Sequence, residues 1–211
     1  MTDPSLINAL VLVGGKHHDQ PGAREALREA LTSRGGVRLT ITEDLSVLAN
    51  PSLTEYDVLV NYTTGATLTP EEERGLLDFV SRGKGFVGIH CATVTFRESA
   101  AYDEMIGSRF IKHPPFGPVN VSITDADHPI THGIGAFSVL DELYILDCDP
   151  RHVHLLARVS AGEVDQPCTY TKQYGQGRVF YTSLGHDPRC FISEDFRTIV
   201  HRGLRWATRS L

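Results

Sequence analysis

The chain has 211 residues, of which 41% are hydrophobic and 22% charged, and its formal net charge is −6. That length and balance suit one α/β domain over residues 1–211 with a sizeable core. The acidic charge, with no Lys/Arg block, argues against nucleic acid and membrane surfaces as partners. Cys91, Cys148, Cys168 and Cys190 form no CxxC pair and read as reduced thiols. The apolar N-terminal run lacks a basic flank and is too short to cross a bilayer, so a cytoplasmic protein is expected.

In chain order, "INALVLVGG" reads as a buried strand. Residues 21–34 carry Ala23, Leu27, Ala30 and Leu31 at helical spacing, stopped by Gly35 and Gly36. "VRLTI" (37–41) and "YDVLVNY" (56–62) read as strands, with the connection between them open. In "LTPEEERGLLDFVSRGKG", Thr69 is a cap, Pro70 the first helical residue, Glu72 the partner in a capping box, and Gly83 the stop. "GFVGIH" (85–90) is a fourth strand. Residues 107–120, with "HPPFGP", read as irregular. Residues 119–124, 137–146 and 152–159 then read as closely spaced strands of antiparallel character. Residues 167–186 form a hairpin turning at Gly175 and Gly177, and 193–207 a closing helix. The fold class expected is a flavodoxin-like, doubly wound, mostly parallel sheet with an antiparallel extension in the second half.

Open α/β sheets bind ligands beyond the carboxyl ends of their strands. Those ends carry His17 and His18, Asn61 and Tyr62, His90 and Cys91, and His186 and Asp187. In "GIHCAT", Gly88 lies two residues before His90 and Ala92 two after, the small flanks that a nucleophile elbow requires. The apex is therefore His90, and Cys91 is expected to point away from the pocket. His152, His154 and His201 read as histidines without a role, and His128 as part of a turn before Pro129.

"GFVGIH", "MIGSRFIKHPP", "DHPITHG", "DELY", "GRVFYTSLGH" and "GLRWA", in this order, resemble the ThuA-like (trehalose utilisation) family over residues 8–207. The resemblance implies a fold related to class I glutamine amidotransferases, whose elbow carries a cysteine and whose later histidine precedes Pro-Glu. Here the apex is His90 and the later element is His186-Asp187-Pro188, so glutaminase activity is not implied. The family-like motifs suggest His18, His90, His113, Glu142 and His186 as the site. Of these His90, His186 and Glu142 are the catalytic candidates. His113 is expected to be buried, and of Asp141 and Glu142 on one strand only one is expected to face inward. Two or three imidazoles with a carboxylate suit a divalent metal such as Zn²⁺, with His18, His90, His113 and His186 as ligands, or general acid–base work. The family name implies a sugar or keto-sugar ligand, met by His18, Asn61, Tyr62, His113 and Tyr144, with Phe116 for stacking. Two alternatives stay open: a non-catalytic sugar-binding or assembly module that has lost its nucleophile, and a reactive Cys91. The apolar segment 137–159 is expected either to cover the core or to form a homodimer contact.

Overall fold

The computed structural model describes residues 6–16 and 20–211. Strand β1 (Ile7–Gly14) is apolar on both sides because both are covered. Ala9, Val11 and Val13 pack into one core layer, while Leu10 and Leu12 pack into the other. Helix α1 (Gln20–Thr32) leads to β2 (Val37–Thr42), which pairs parallel with β1. The open connection to β3 (Val58–Thr63) is two short 3₁₀ turns, Leu45–Ala49 and Pro51–Glu55. Asp44 and Asn50 cap them, accepting from the Ser46 and Ser52 N–H groups. Strand β3 pairs with the other edge of β1, so the strand order reverses there.

Helix α2 (Pro70–Ser81) has the expected capping box. The Thr69 N–H donates to Glu72 Oε2 at 2.8 Å and the Glu72 N–H to Thr69 Oγ1 at 3.3 Å, a pairing whose loss costs about 1 kcal/mol. Strand β4 (Gly85–Ile89) pairs with β3. A 3₁₀ turn, His90–Thr93, and α3 (Ala100–Ile106) follow. Helix α3 is only two turns long, too short for a clear helical period in the sequence; Ser99 caps it, accepting from the Tyr102 N–H at 2.9 Å.

The second half supplies β5 (Arg109–Lys112), β6 (Gly117–Ile123), β7 (Phe137–Asp141), β8 (Ile145–Asp147), β9 (His154–Ala161), β10 (Val164–Tyr174), β11 (Gly177–Thr182) and α4 (Glu194–Ala207). The main sheet runs β2-β1-β3-β4-β11-β10-β9-β6-β7. It is parallel from β2 to β11 and antiparallel from β11 to β7. Helices α1 and α4 cover one face, α2 and α3 the other. This is the expected doubly wound architecture with its antiparallel extension.

Two expectations are corrected. Residues 107–120 are not irregular throughout: β5 lies inside them and β6 begins at Gly117. Pro118 is tolerated because it pairs only with Leu140 of β7; the β9 ladder starts at Asn120. Nor is 137–146 one strand. It breaks after Asp141, and β8 leaves the main sheet to pair with β5. Across the break Leu143 packs into the α1/α4 layer and Tyr144 into the α2/α3 layer. The segment 137–159 covers the core through Val139, Leu143, Leu156 and Val159.

Candidate functional site

Strands β4 and β11 are parallel neighbours, with Ile89 opposite Thr182. Their carboxyl ends therefore release His90 and Ser183 side by side. His90 has φ +45°, one of three non-glycine residues with positive φ among those described, a conformation that costs on the order of 1 kcal/mol. Three contacts hold it there. Its Nδ1 lies 2.7 Å from the Ser183 carbonyl oxygen, its ring sits 4.1 Å from that of Tyr144, and its own carbonyl accepts from the Tyr181 hydroxyl at 3.0 Å. The flanks match the elbow: a Cβ on Gly88 would lie 3.0 Å from Tyr181 and 3.2 Å from Ala92. His90 is the apex.

A carbonyl oxygen only accepts, so His90 Nδ1 carries the proton and Nε2 is the basic nitrogen of the neutral ring. Nε2 faces His186 Nδ1 at 3.3 Å and Glu142 Oε2 at 3.6 Å. His186 Nδ1 is 3.1 Å from Glu142 Oε2. The donor atoms of His90, Glu142 and His186 all lie within 4.8 Å of one another, the one such three-residue group among the described residues. Burial pushes the Glu142 carboxyl up, but the hydrogen bond from His186 and the nearness of both imidazoles outweigh it and hold the group far below the usual carboxylate range. The bond to Glu142 raises His186, against the opposing effect of its burial.

Glu142 and His186 line a cleft of about 430 Å³ with Thr64, Val94, Phe110, His113 and Tyr144, and His90, fully buried, lies behind them. A cleft of about 480 Å³ at the opposite end of the strands, beside Ile7, Asp57 and Lys84, contains no such cluster. Size alone does not mark the site; the convergence of donor atoms does.

The expected residues divide. His90, Glu142 and His186 come together. His113 stands at the rim, 38% exposed and not buried as expected, because its Nδ1 finds its partner locally, donating to the Pro114 carbonyl at 2.8 Å. It lies 3.6 Å from Glu142 Oε1 and outside the three-residue group. Tyr144 is a buried wall, its ring 4.4 Å from Phe110. Phe116 packs at the mouth, 5.8 Å from His186. Asn61 does not reach the cleft. Strand alternation turns it to the α2/α3 face, where it donates to Tyr102 at 2.8 Å and accepts from Thr63. Tyr62 is fully buried on the other face, its hydroxyl donating to the Gly185 carbonyl at 2.8 Å. His18, like His17, lies outside the described residues.

Asp141 and Glu142 both turn inward, contrary to expectation, because the ladder ends between them. Asp141 is fully buried and accepts from the Glu142, Gly185 and His186 N–H groups at 2.8, 2.7 and 3.0 Å. Cys91 points into the α1/α4 core layer, and burial pushes its thiol up to about 12. That is the reverse of an activated nucleophile.

The sequence model for trehalose utilisation, ThuA, matches residues 8–207. The chain belongs to the ThuA family. Among solved structures, a ThuA-like protein from Parabacteroides merdae superimposes with TM-score 0.82 at 20% identity, over 96% of this chain and 90% of that one. A ThuA-like protein from Bacteroides uniformis gives TM-score 0.79 at 21% identity, over 98% and 94%. A cytoplasmic protein from Salmonella typhimurium gives 0.71 at 14%, over 95% and 99%. At these identities the likeness establishes the fold. No protein of curated function matches by sequence. No helix among the described residues is long and apolar enough to cross a membrane.

Proposed function

We propose that this ThuA protein is an enzyme of carbohydrate catabolism that acts on an oxidised (keto) sugar derivative, with a divalent cation such as Zn²⁺ held by His90, Glu142 and His186. The convergence of His90 Nε2, Glu142 Oε2 and His186 Nδ1 within 4.8 Å carries this reading. The donor set fits a cation: two imidazoles and a carboxylate leave positions open for substrate oxygens, and His90 already donates its other ring nitrogen to a backbone carbonyl, as metal-binding histidines do. A cation there would polarise a sugar carbonyl and acidify the neighbouring C–H.

The chain's own groups supply the rest. Tyr144 and Phe110 give the cleft an aromatic wall suited to a sugar ring. His113 commits Nδ1 to Pro114, which leaves Nε2 as the nitrogen able to take a proton at the rim. Glu142 is the one carboxylate among the described lining residues, because Asp141 is turned onto backbone N–H groups. Ordinary glycoside hydrolysis needs two carboxylates across the bond, so proton abstraction beside a carbonyl, a lyase-type or hydrolytic cleavage of a keto-sugar, suits this cleft better. The family's name, trehalose utilisation, supports a sugar ligand. The description of the Salmonella relative and the four free cysteines support a cytoplasmic setting.

Metal analysis of the purified protein beside His90→Ala, with turnover assays on keto-disaccharides, tests the reading. Stoichiometric metal and turnover in the parent, both lost in His90→Ala, are expected. A parent that neither binds added Zn²⁺ nor forms product on any keto-sugar defeats it.

A further inference from the structure

The centre is assembled from two distant parts of the sheet. Glu142 follows β7, the outermost strand of the antiparallel extension, while His186 follows β11 in the middle. One buried carboxylate ties the two. Asp141 Oδ1 accepts from the N–H of Glu142 at 2.8 Å and from the N–H of His186 at 3.0 Å, while Oδ2 accepts from Gly185 at 2.7 Å. A fully buried carboxylate is tolerated only when its oxygens are satisfied, and here the backbone of both site-bearing segments satisfies them. From the other side, the Tyr62 hydroxyl donates to the Gly185 carbonyl at 2.8 Å. The Gly185 peptide is therefore gripped at both ends. It also holds φ +114°, where a Cβ would lie 3.1 Å from Ile89, so glycine alone fits the turn.

We infer that Asp141 and Tyr62 are positioning residues, which set the separation of Glu142 and His186 by clamping the Gly185–His186 turn to the end of β7. Neither side chain touches the ligand; both act through the backbone. The inference deepens the reading of His90, Glu142 and His186 as a cation centre and rests on it for its metal readout, but not for its geometric one. His201 on α4, its Nδ1 3.3 Å from the Leu31 carbonyl, lies outside the three-residue group and serves as an internal control.

Asp141→Asn is nearly isosteric and replaces one acceptor with a donor that must face an N–H. Tyr62→Phe removes only the hydroxyl, and is the variant to use if Asp141→Asn does not fold. Two measurements apply to each variant whose melting is still cooperative: Zn²⁺ affinity by competition with a chromophoric chelator, and the imidazole ¹⁵N shifts of His186 and His201 in metal-free protein. The expected result is a 10- to 100-fold loss of Zn²⁺ affinity, with His186 shifts displaced and His201 shifts unmoved. Folded variants with parental His186 shifts overturn the inference. So do variants in which His201 and His186 move alike, which marks general loosening. If the parent binds no Zn²⁺ while the His186 shifts still respond, the cation reading fails and the clamp stands.

Discussion

The Nδ1 nitrogen of His90 lies 2.7 Å from the carbonyl oxygen of Ser183, while the Ser183 hydroxyl is buried with no hydrogen-bond partner among the described residues. The useful atom of Ser183 is therefore in its backbone. Ser183→Ala keeps the carbonyl and removes a desolvated hydroxyl, which an unmet hydrogen bond makes costly by about 1 kcal/mol or more. The expected outcome is equal or higher stability in urea unfolding, by up to about 1 kcal/mol, with metal content unchanged. A clear loss of either contradicts this account of how His90 is held.

The elbow leaves no room at Gly88. A methyl group there would lie 3.0 Å from Tyr181, 3.1 Å from Ile106 and 3.2 Å from Ala92, and overpacking of this kind costs about 1–3 kcal/mol. Gly88→Ala should lower stability by that amount and disturb His90, because Tyr181 also holds the His90 carbonyl. Chemical denaturation together with metal content tests both effects; a variant as stable as the parent refutes the packing argument.

Thiol reactivity should follow exposure and not proximity to the elbow. Cys91, Cys168 and Cys190 are buried and Cys148 is half-buried. Burial pushes the Cys91 and Cys168 thiols up to about 12, and Cys148 only to about 11. Brief iodoacetamide treatment of the native protein, read by peptide mass spectrometry, should label Cys148 first. Preferential labelling of Cys91 would restore the reactive-thiol alternative.

Acid should weaken the fold through His201. This histidine is buried on α4, its Nδ1 3.3 Å from the Leu31 carbonyl of α1. Burial lowers its pKa below the ordinary 6.5. Between that lowered value and 6.5 the unfolded chain binds more protons than the folded one, so stability is complete above 6.5 and falls as the pH drops through this window. His201→Asn keeps an N–H donor and removes the titration. Its unfolding free energy, measured at pH 8 and pH 5.5, should fall less than the parent's. Parallel losses count against His201 as the source.

Much of this was readable in the residues. Thr69, Pro70 and Glu72 announce α2 through local hydrogen bonds, and Gly88 and Ala92 locate the apex through bulk alone. The neighbouring strand ends then bring His186 to His90. Other features depend on contacts no local pattern encodes. Period-two alternation says that Asn61 and Tyr62 face opposite ways, but not which face leads to the cleft; neither side chain does. The break in 137–146 is invisible to hydropathy, because Leu143 and Tyr144 remain buried, each in a different layer. Its cause is a carboxylate reaching N–H groups at Gly185 and His186. "DELY" announced two acids, and only the tertiary structure gives them separate tasks.

The sheet's order has a kinetic consequence. His90 lies in the parallel half of the fold, and Glu142 arrives only when the outermost antiparallel strand has docked and the chain has left it toward β8. A refolding chain that has built only β1 to β4 with their helices would hold one imidazole of the three donors. Capture of a coloured cation such as Co²⁺ at the proposed centre during refolding would thus report the docking of β7, while circular dichroism would already record the strands and helices built before it.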